Sequence, residues 1–168
     1  MPDTVITYVG LGSNQENPVG QVRRALHELA ALPSTRLGAS SRLYRSAPLG
    51  PVDQPDFINA VAALETQLPP DTLLAELHSL EARHGRVRSA LHWGPRPLDL
   101  DLLLYGDAVI NGPDLQVPHP GLPERVFVLY PLAEIAPDLA VPGRGTVKEL
   151  LQRCAPARIE VLGDTLDE

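Results

Sequence analysis

The run DFINAVAALETQLPPDTLLAELHSLEARHG, residues 56–85, holds one strand and one helix back to back, and the rest of the chain can be read outward from it. From Asp56 to Gln67 the pattern has period two. Phe57, Asn59, Val61 and Ala63 face one way, and Ile58, Ala60, Ala62 and Leu64 face the other, so a strand is predicted with an aromatic and an amide on one face. Pro69-Pro70 ends it. Leu73, Leu77 and Leu80 then recur at helical spacing from Asp71 to His84, and Gly85 supplies a C-terminal stop.

Toward the N-terminus, Thr4 to Leu11 is rich in Val, Ile, Thr and Tyr and predicts a strand that turns at Gly12-Ser13-Asn14. Asn17 then serves as an N-cap with Pro18 at the first helical position. Val19, Val22, Leu26 and Leu29 form the apolar stripe of a helix running to about Leu32. Thr35 to Ser46 reads as extended and leads into a proline-rich loop from Pro48 to Pro55. Toward the C-terminus, Leu98 to Tyr105 is a strand closed by Gly106-Asp107. Val109 to Val117 reads as short extended pieces around a turn, and helices are expected at Arg125 to Ala136 and Thr146 to Cys154. To residue 105 the order is strand, helix, strand, strand, helix, strand. The expected class is α+β, a ferredoxin-like βαββαβ core with C-terminal additions, in a single domain over residues 1–168.

Charge sorts the function classes. The net charge of −7 disfavours general nucleic-acid binding, and the apolar runs are too short to span a membrane. The start MPDTVITYVG lacks the pattern of a leader, and the lone Cys154 cannot form an internal disulfide, so the expected setting is reducing and cytoplasmic. Within this acidic chain the stretch from Ala82 to Leu98 reverses sign, with Arg83, Arg86, Arg88, Arg96, His84 and His92 and no acid. Arginine forks match phosphate oxygens, which makes Arg86, Arg88 and Arg96 candidate polyphosphate ligands. A P-loop is absent, because the single lysine, Lys148, follows Val147.

The basic stretch runs into the strand LDLDLLLY (Leu98–Tyr105). Asp99 and Asp101 leave the same strand face, about 7 Å apart, and repel by about 2 kcal/mol at an effective dielectric near 20. Hard cations between them remove that cost, and Mg²⁺ shared with a polyphosphate suits two carboxylates. A solvated polar edge is the plainer alternative; Leu103 and Tyr105, expected on the aspartate face, argue against it. Trp93 before Gly94-Pro95 suits closure over a flat ligand as well as ordinary burial. His119, held between Pro118 and Pro120, suits either a phosphate contact or a turn.

Four segments together, GLGSN (Gly10–Asn14), APLGPVDQPDFINAV from Ala47, GRVRSALHWGPRPLDLDLLLYG from Gly85 and VPHPGLPERVFVLYPLAEIAP from Val117, resemble the 6-hydroxymethyl-7,8-dihydropterin pyrophosphokinases of folate synthesis. The resemblance implies transfer of pyrophosphate from ATP to the pterin hydroxymethyl group, with two Mg²⁺ ions and a monomeric enzyme that has neither nucleic-acid nor membrane partners. It places the metal ligands on Asp99 and Asp101, and catalysis on these with Arg86 and Arg96. ATP contacts fall on His78, Glu81, Arg86, Arg88, His92, Trp93, Arg96, Leu115, Gln116, His119 and Arg125. The pterin falls among Ser46, Pro48, Leu49, Phe57, Asn59, Trp93, Asp99 and Phe127. Departures from the family pattern are His92 where arginine is common, Asp114 where a cation can stand, Ala47 for proline and Phe57 for tyrosine.

Two rivals fit less well. A phosphatase using the first aspartate of DxD as nucleophile needs its strand to end there, and this one continues to Tyr105. An RNA-binding ferredoxin-like domain needs exposed sheet aromatics and a basic balance.

Overall fold

The computed structural model describes residues 4–15, 17–46, 55–85, 98–154 and 159–163. In chain order the elements are β1 (Val5–Ser13), α1 (Pro18–Ala30), β2 (Thr35–Ser40), β3 (Leu43–Ser46), β4 (Phe57–Thr66), α2 (Pro70–Arg83) and β5 (Asp99–Tyr105). There follow β6 (Ile110–Asn111), β7 (Gln116–Val117), α3 (Val126–Ile135), β8 (Ala140–Val141), β9 (Gly145–Thr146), α4 (Val147–Arg153) and β10 (Ile159–Gly163). The main sheet is antiparallel in the order β10-β3-β4-β1-β5, with β2 also paired to β4. β6 with β7 and β8 with β9 form two small ladders.

Local chemistry accounts for the boundaries. Asn17 caps α1, its side chain accepting from Gly20 N–H, and Pro18 opens the helix as expected. Thr146 and Glu149 form a reciprocal capping box on α4. The predicted extended stretch Thr35–Ser46 is split into β2 and β3 by Ser41, whose N–H donates to Val61 O and whose hydroxyl accepts from Val61 N–H. β1 runs past the predicted turn to Ser13, because Gly12 and Ser13 still pair with Asn59 and Ile58.

Helices cover both faces of the sheet. On one, α1 and α2 pack Val22, Leu26, Leu29, Leu73, Leu77 and Leu80 against Val9, Leu11, Ile58, Ala60, Ala62, Leu64, Leu98, Leu100 and Leu102. On the other, α3 and α4 pack Leu129, Leu132, Val147 and Leu150 against Val61, Leu103 and Leu104. Fully burying each such leucine contributes about 1.5–3 kcal/mol. No helix among the described residues is long and apolar enough to cross a membrane.

One expectation is corrected at β5. Its register against β1 steps from Tyr8↔Leu104 to Val9↔Leu102, leaving Leu103 as an extra residue. Leu103 stays on the aspartate face. The bulge turns Tyr105 to the opposite face, where it packs beside the α1/α2 core and its hydroxyl donates to Leu68 O.

Candidate active site

β5 is an edge strand, and its outer side is held at both ends. Near its start Leu100 N–H donates to Glu81 Oε2 of α2 at 2.7 Å; near its finish Leu103 O accepts from His119 N–H at 2.9 Å. Glu81 is only 3% exposed, so its carboxylate secures the strand as well as bordering the site. Between these ties opens a cavity of about 320 Å³, lined by Leu74, His78, Glu81, Asp99, Leu100, Asp101, Leu102, Pro113, Asp114, Leu115, Gln116, His119 and Pro120. The structure thus brings His78, Glu81, Leu115, Gln116 and His119 around the two aspartates, although they come from a helix, a strand and the β6–β7 region.

His119 faces the aspartates as a donor. Its Nδ1 accepts from Gly121 N–H at 3.1 Å, which leaves the proton on Nε2, 3.7 Å from Asp101 Oδ1. Burial first, and the Arg125 guanidinium second, hold the imidazole below its ordinary pKa, while Asp99 pulls the other way. Burial and Arg125 outweigh Asp99, and the 3.7 Å contact pairs a neutral N–H with a carboxylate.

Arg125 lies over a glycine. A Cβ built on Gly121 would meet Arg125 Nε at 2.5 Å, so the guanidinium occupies the space that the missing side chain leaves. Its Cζ is also 5.9 Å from the centroid of Phe127, within cation–π range. A candidate ATP ligand and a candidate pterin contact are therefore neighbours.

On the far side of β1 lie Ser46, Phe57 and Asn59. Asn59 Nδ2 donates to Ser46 Oγ at 2.6 Å, and both residues are 5% exposed. Across the sheet, Gly12 pairs with Asn59 on one side and Asp99 on the other; Gly10 pairs likewise with Val61 and Asp101. Two strand spacings separate the amide from the carboxylate, about 10 Å, and the strand between them carries no side chain above its backbone. A Cβ on Gly12 would lie 3.2 Å from Asn59 Oδ1, and one on Gly10 3.5 Å from Leu103 Cδ1. Leu103 thus covers Gly10, and Gly12 leaves a bare floor between the amide and Asp99.

A family model for 7,8-dihydro-6-hydroxymethylpterin-pyrophosphokinase (HPPK) matches residues 8–137. The chain belongs to the HPPK family. It is similar to the 2-amino-4-hydroxy-6-hydroxymethyldihydropteridine pyrophosphokinase of Pseudomonas aeruginosa, 52% identical over 155 residues that cover 92% of this chain and 95% of that protein. It is also similar to the enzyme of the same name from Haemophilus influenzae, 46% identical over 151 residues, covering 90% of this chain and 94% of that one. A crystal structure of wild-type Plasmodium falciparum HPPK-DHPS with pteroate superposes with a TM-score of 0.72 at 14% identity, covering 90% of this chain and 44% of that one. That last likeness is one of fold.

Of the expected HPPK site residues, Pro48, Leu49, Arg86, Arg88, His92, Trp93 and Arg96 lie outside the described residues. The remainder divide between the cavity on β5, the Ser46–Phe57–Asn59 group on β3 and β4, and the Arg125–Phe127 pair at the start of α3. Sequence reasoning passed over Gly12 as a floor residue. The available sign was a Gly-x-Gly inside a predicted strand, where glycine weakens the strand unless something must come close.

Proposed function

We propose that this chain transfers pyrophosphate from ATP to the hydroxymethyl group of 6-hydroxymethyl-7,8-dihydropterin, giving AMP and the pterin diphosphate, as a step of folate synthesis. The row Asn59–Gly12–Asp99 carries the proposal, because it sets a group that reads a flat heterocycle beside a carboxylate across an open floor. The names of the relatives and the matching family model support the same chemistry. The strand order β5-β1-β4-β3, with β2 and β3 as two parts of one strand, supports a ferredoxin-like core within a single domain.

The pterin hydroxymethyl oxygen forms a bond to the β-phosphorus of ATP, the bond from that phosphorus to the α,β-bridging oxygen breaks, and AMP leaves with the bridging oxygen. Asp99, paired with Gly12, would lower the cost of losing the hydroxyl proton. Neutral His119 offers its Nε2–H to a phosphate oxygen without adding a positive charge to the site. Arg125, joined by Arg86, Arg88, His92 and Arg96, holds the polyphosphate by charge-assisted hydrogen bonds. Phe57 and Phe127, with Trp93, Pro48 and Leu49, enclose the ring, while His78, Glu81, Leu115 and Gln116 border the nucleoside.

Magnesium fits the donor set. Asp99 and Asp101 present hard oxygens on one face, and among the described residues no group of three or more His, Cys, Asp or Glu builds a closed cage. Asp99 and Asp101 would hold the ion, and phosphate and water would supply its remaining oxygens, as suits Mg²⁺. When bound, two such ions would neutralise the triphosphate and orient it in line. The reading includes a monomer working in the cytoplasm.

The test is incubation with ATP, Mg²⁺ and the hydroxymethyl pterin, with pterin omitted as control. Pterin-dependent AMP is the expected product. Release of ADP or orthophosphate instead would overturn the assignment.

A further inference from the structure

The last described strand lies outside the stretch matched by the family model, which ends at residue 137, yet it is laid against one wall of the site. β3 has four residues and meets β4 through three pairs, Tyr44↔Asn59, Arg45↔Ile58 and Ser46↔Phe57. So short an outer strand frays unless its second edge is covered. β10 covers it, in the register Ile159↔Ser46, Glu160↔Arg45 and Val161↔Tyr44. The Arg45–Glu160 ion pair, 3.2 Å, spans the middle pair. The residue that β10 holds at the end of β3 is Ser46, whose Oγ accepts the hydrogen bond from Asn59 Nδ2.

We infer that the C-terminal strand Ile159–Gly163 is a positioning element for the pterin half of the site, acting through Ser46 on the Asn59 amide. The inference rests on the assignment of Ser46 and Asn59 to the pterin, made above. β10 touches no reacting group. It fixes the backbone of β3, which fixes the Ser46 hydroxyl, which orients the amide that reads the heterocycle. The ATP cavity on β5, built with α2 and the segment around His119, shares no element with this chain of contacts, and Arg125 lies at the opposite end of α3 from Glu134, the residue that Tyr44 of β3 meets, so loss of β10 acts first on the pterin side.

The test is Glu160→Pro in the full-length chain, since proline removes an N–H from the ladder at its central pair and the ion pair with it. The expected result is a rise in KM for the pterin of about fivefold, the size of one hydrogen bond, with KM for ATP and the cooperativity of thermal unfolding retained. Ser46→Ala completes a double-mutant cycle: the Glu160→Pro penalty should shrink in the Ser46→Ala background. An unchanged pterin KM, parallel losses for pterin and ATP, or fully additive penalties would each overturn the inference. If the proline variant fails to fold, Glu160→Gly loosens the strand while keeping its donor and carries the same cycle. A parent chain that does not turn over the pterin refutes the functional assignment; a parent that does, with variants that match it, refutes only the role of β10.

Discussion

Replacing Gly12 with alanine separates the floor of the site from the stability of the fold. The new Cβ would stand 3.2 Å from Asn59 Oδ1, 3.8 Å from Phe57 Cδ1 and 3.9 Å from Ile58 O. Only the first contact is tight, and a shift of Asn59 by a few tenths of an ångström relieves it. Alanine restricts the unfolded chain, which stabilises by about 0.4–1 kcal/mol. Disturbing the Asn59–Ser46 hydrogen bond costs about 1 kcal/mol, so the two nearly cancel and the melting temperature moves by no more than about 2–4 °C. Catalysis has no such compensation. The methyl group rises between the amide and Asp99, and a displacement of reacting groups near 1 Å costs about 100-fold in rate, equivalent to about 2.7 kcal/mol of barrier. The assay is AMP release at varied pterin concentration, beside a thermal melt of the same preparation. Parental kcat/KM for the pterin in a variant that melts like the parent would refute the bare-floor argument.

Asp99→Asn and Asp101→Asn should each lower turnover by at least about 100-fold, the scale of a lost charge-stabilising group, with melting temperatures near the parent's; full activity in either sinks the metal assignment. Gly121→Ala drives a methyl group into the space of Arg125 Nε, so KM for ATP should rise by about tenfold, one charge-assisted hydrogen bond, measured against an unchanged melting temperature. Tyr44 donates to Glu134 across the β3–α3 contact, and burial first, then that carboxylate, push its phenol up to about 12. The stability tied to its proton is complete below its ordinary value of 10 and is lost as pH rises through about 12. Tyr44→Phe should therefore destabilise by about 1–2 kcal/mol at neutral pH, with a difference from the parent that narrows above pH 10, read by denaturant titrations across the alkaline range.

Much of this protein was legible without coordinates, for reasons that are local. Period two from Asp56 to Gln67, the leucine stripe from Leu73 to Leu80, and the Asn17-Pro18 cap each depend on residues close in sequence, and each element formed where expected. The Asp99–Asp101 pair belongs with them, because strand alternation alone puts both carboxylates on one face. Tertiary structure decided what depends on partners distant in the chain. The bulge at Leu103 arises from the pairing of β5 with β1, and it carries Tyr105 away from the aspartate face, which alternation within the strand could not foresee. The segment Ile159–Gly163 has too little pattern to be read alone and becomes a strand because β3 offers an open edge. Gly12 of β1 acquires its meaning only when Asn59 arrives on one side and Asp99 on the other. Sequence set the chemical groups and the local shape that carries them, whereas the sheet register set which groups meet, since pairing joins residues that lie 47 positions apart for Gly12 and Asn59 and 87 apart for Gly12 and Asp99.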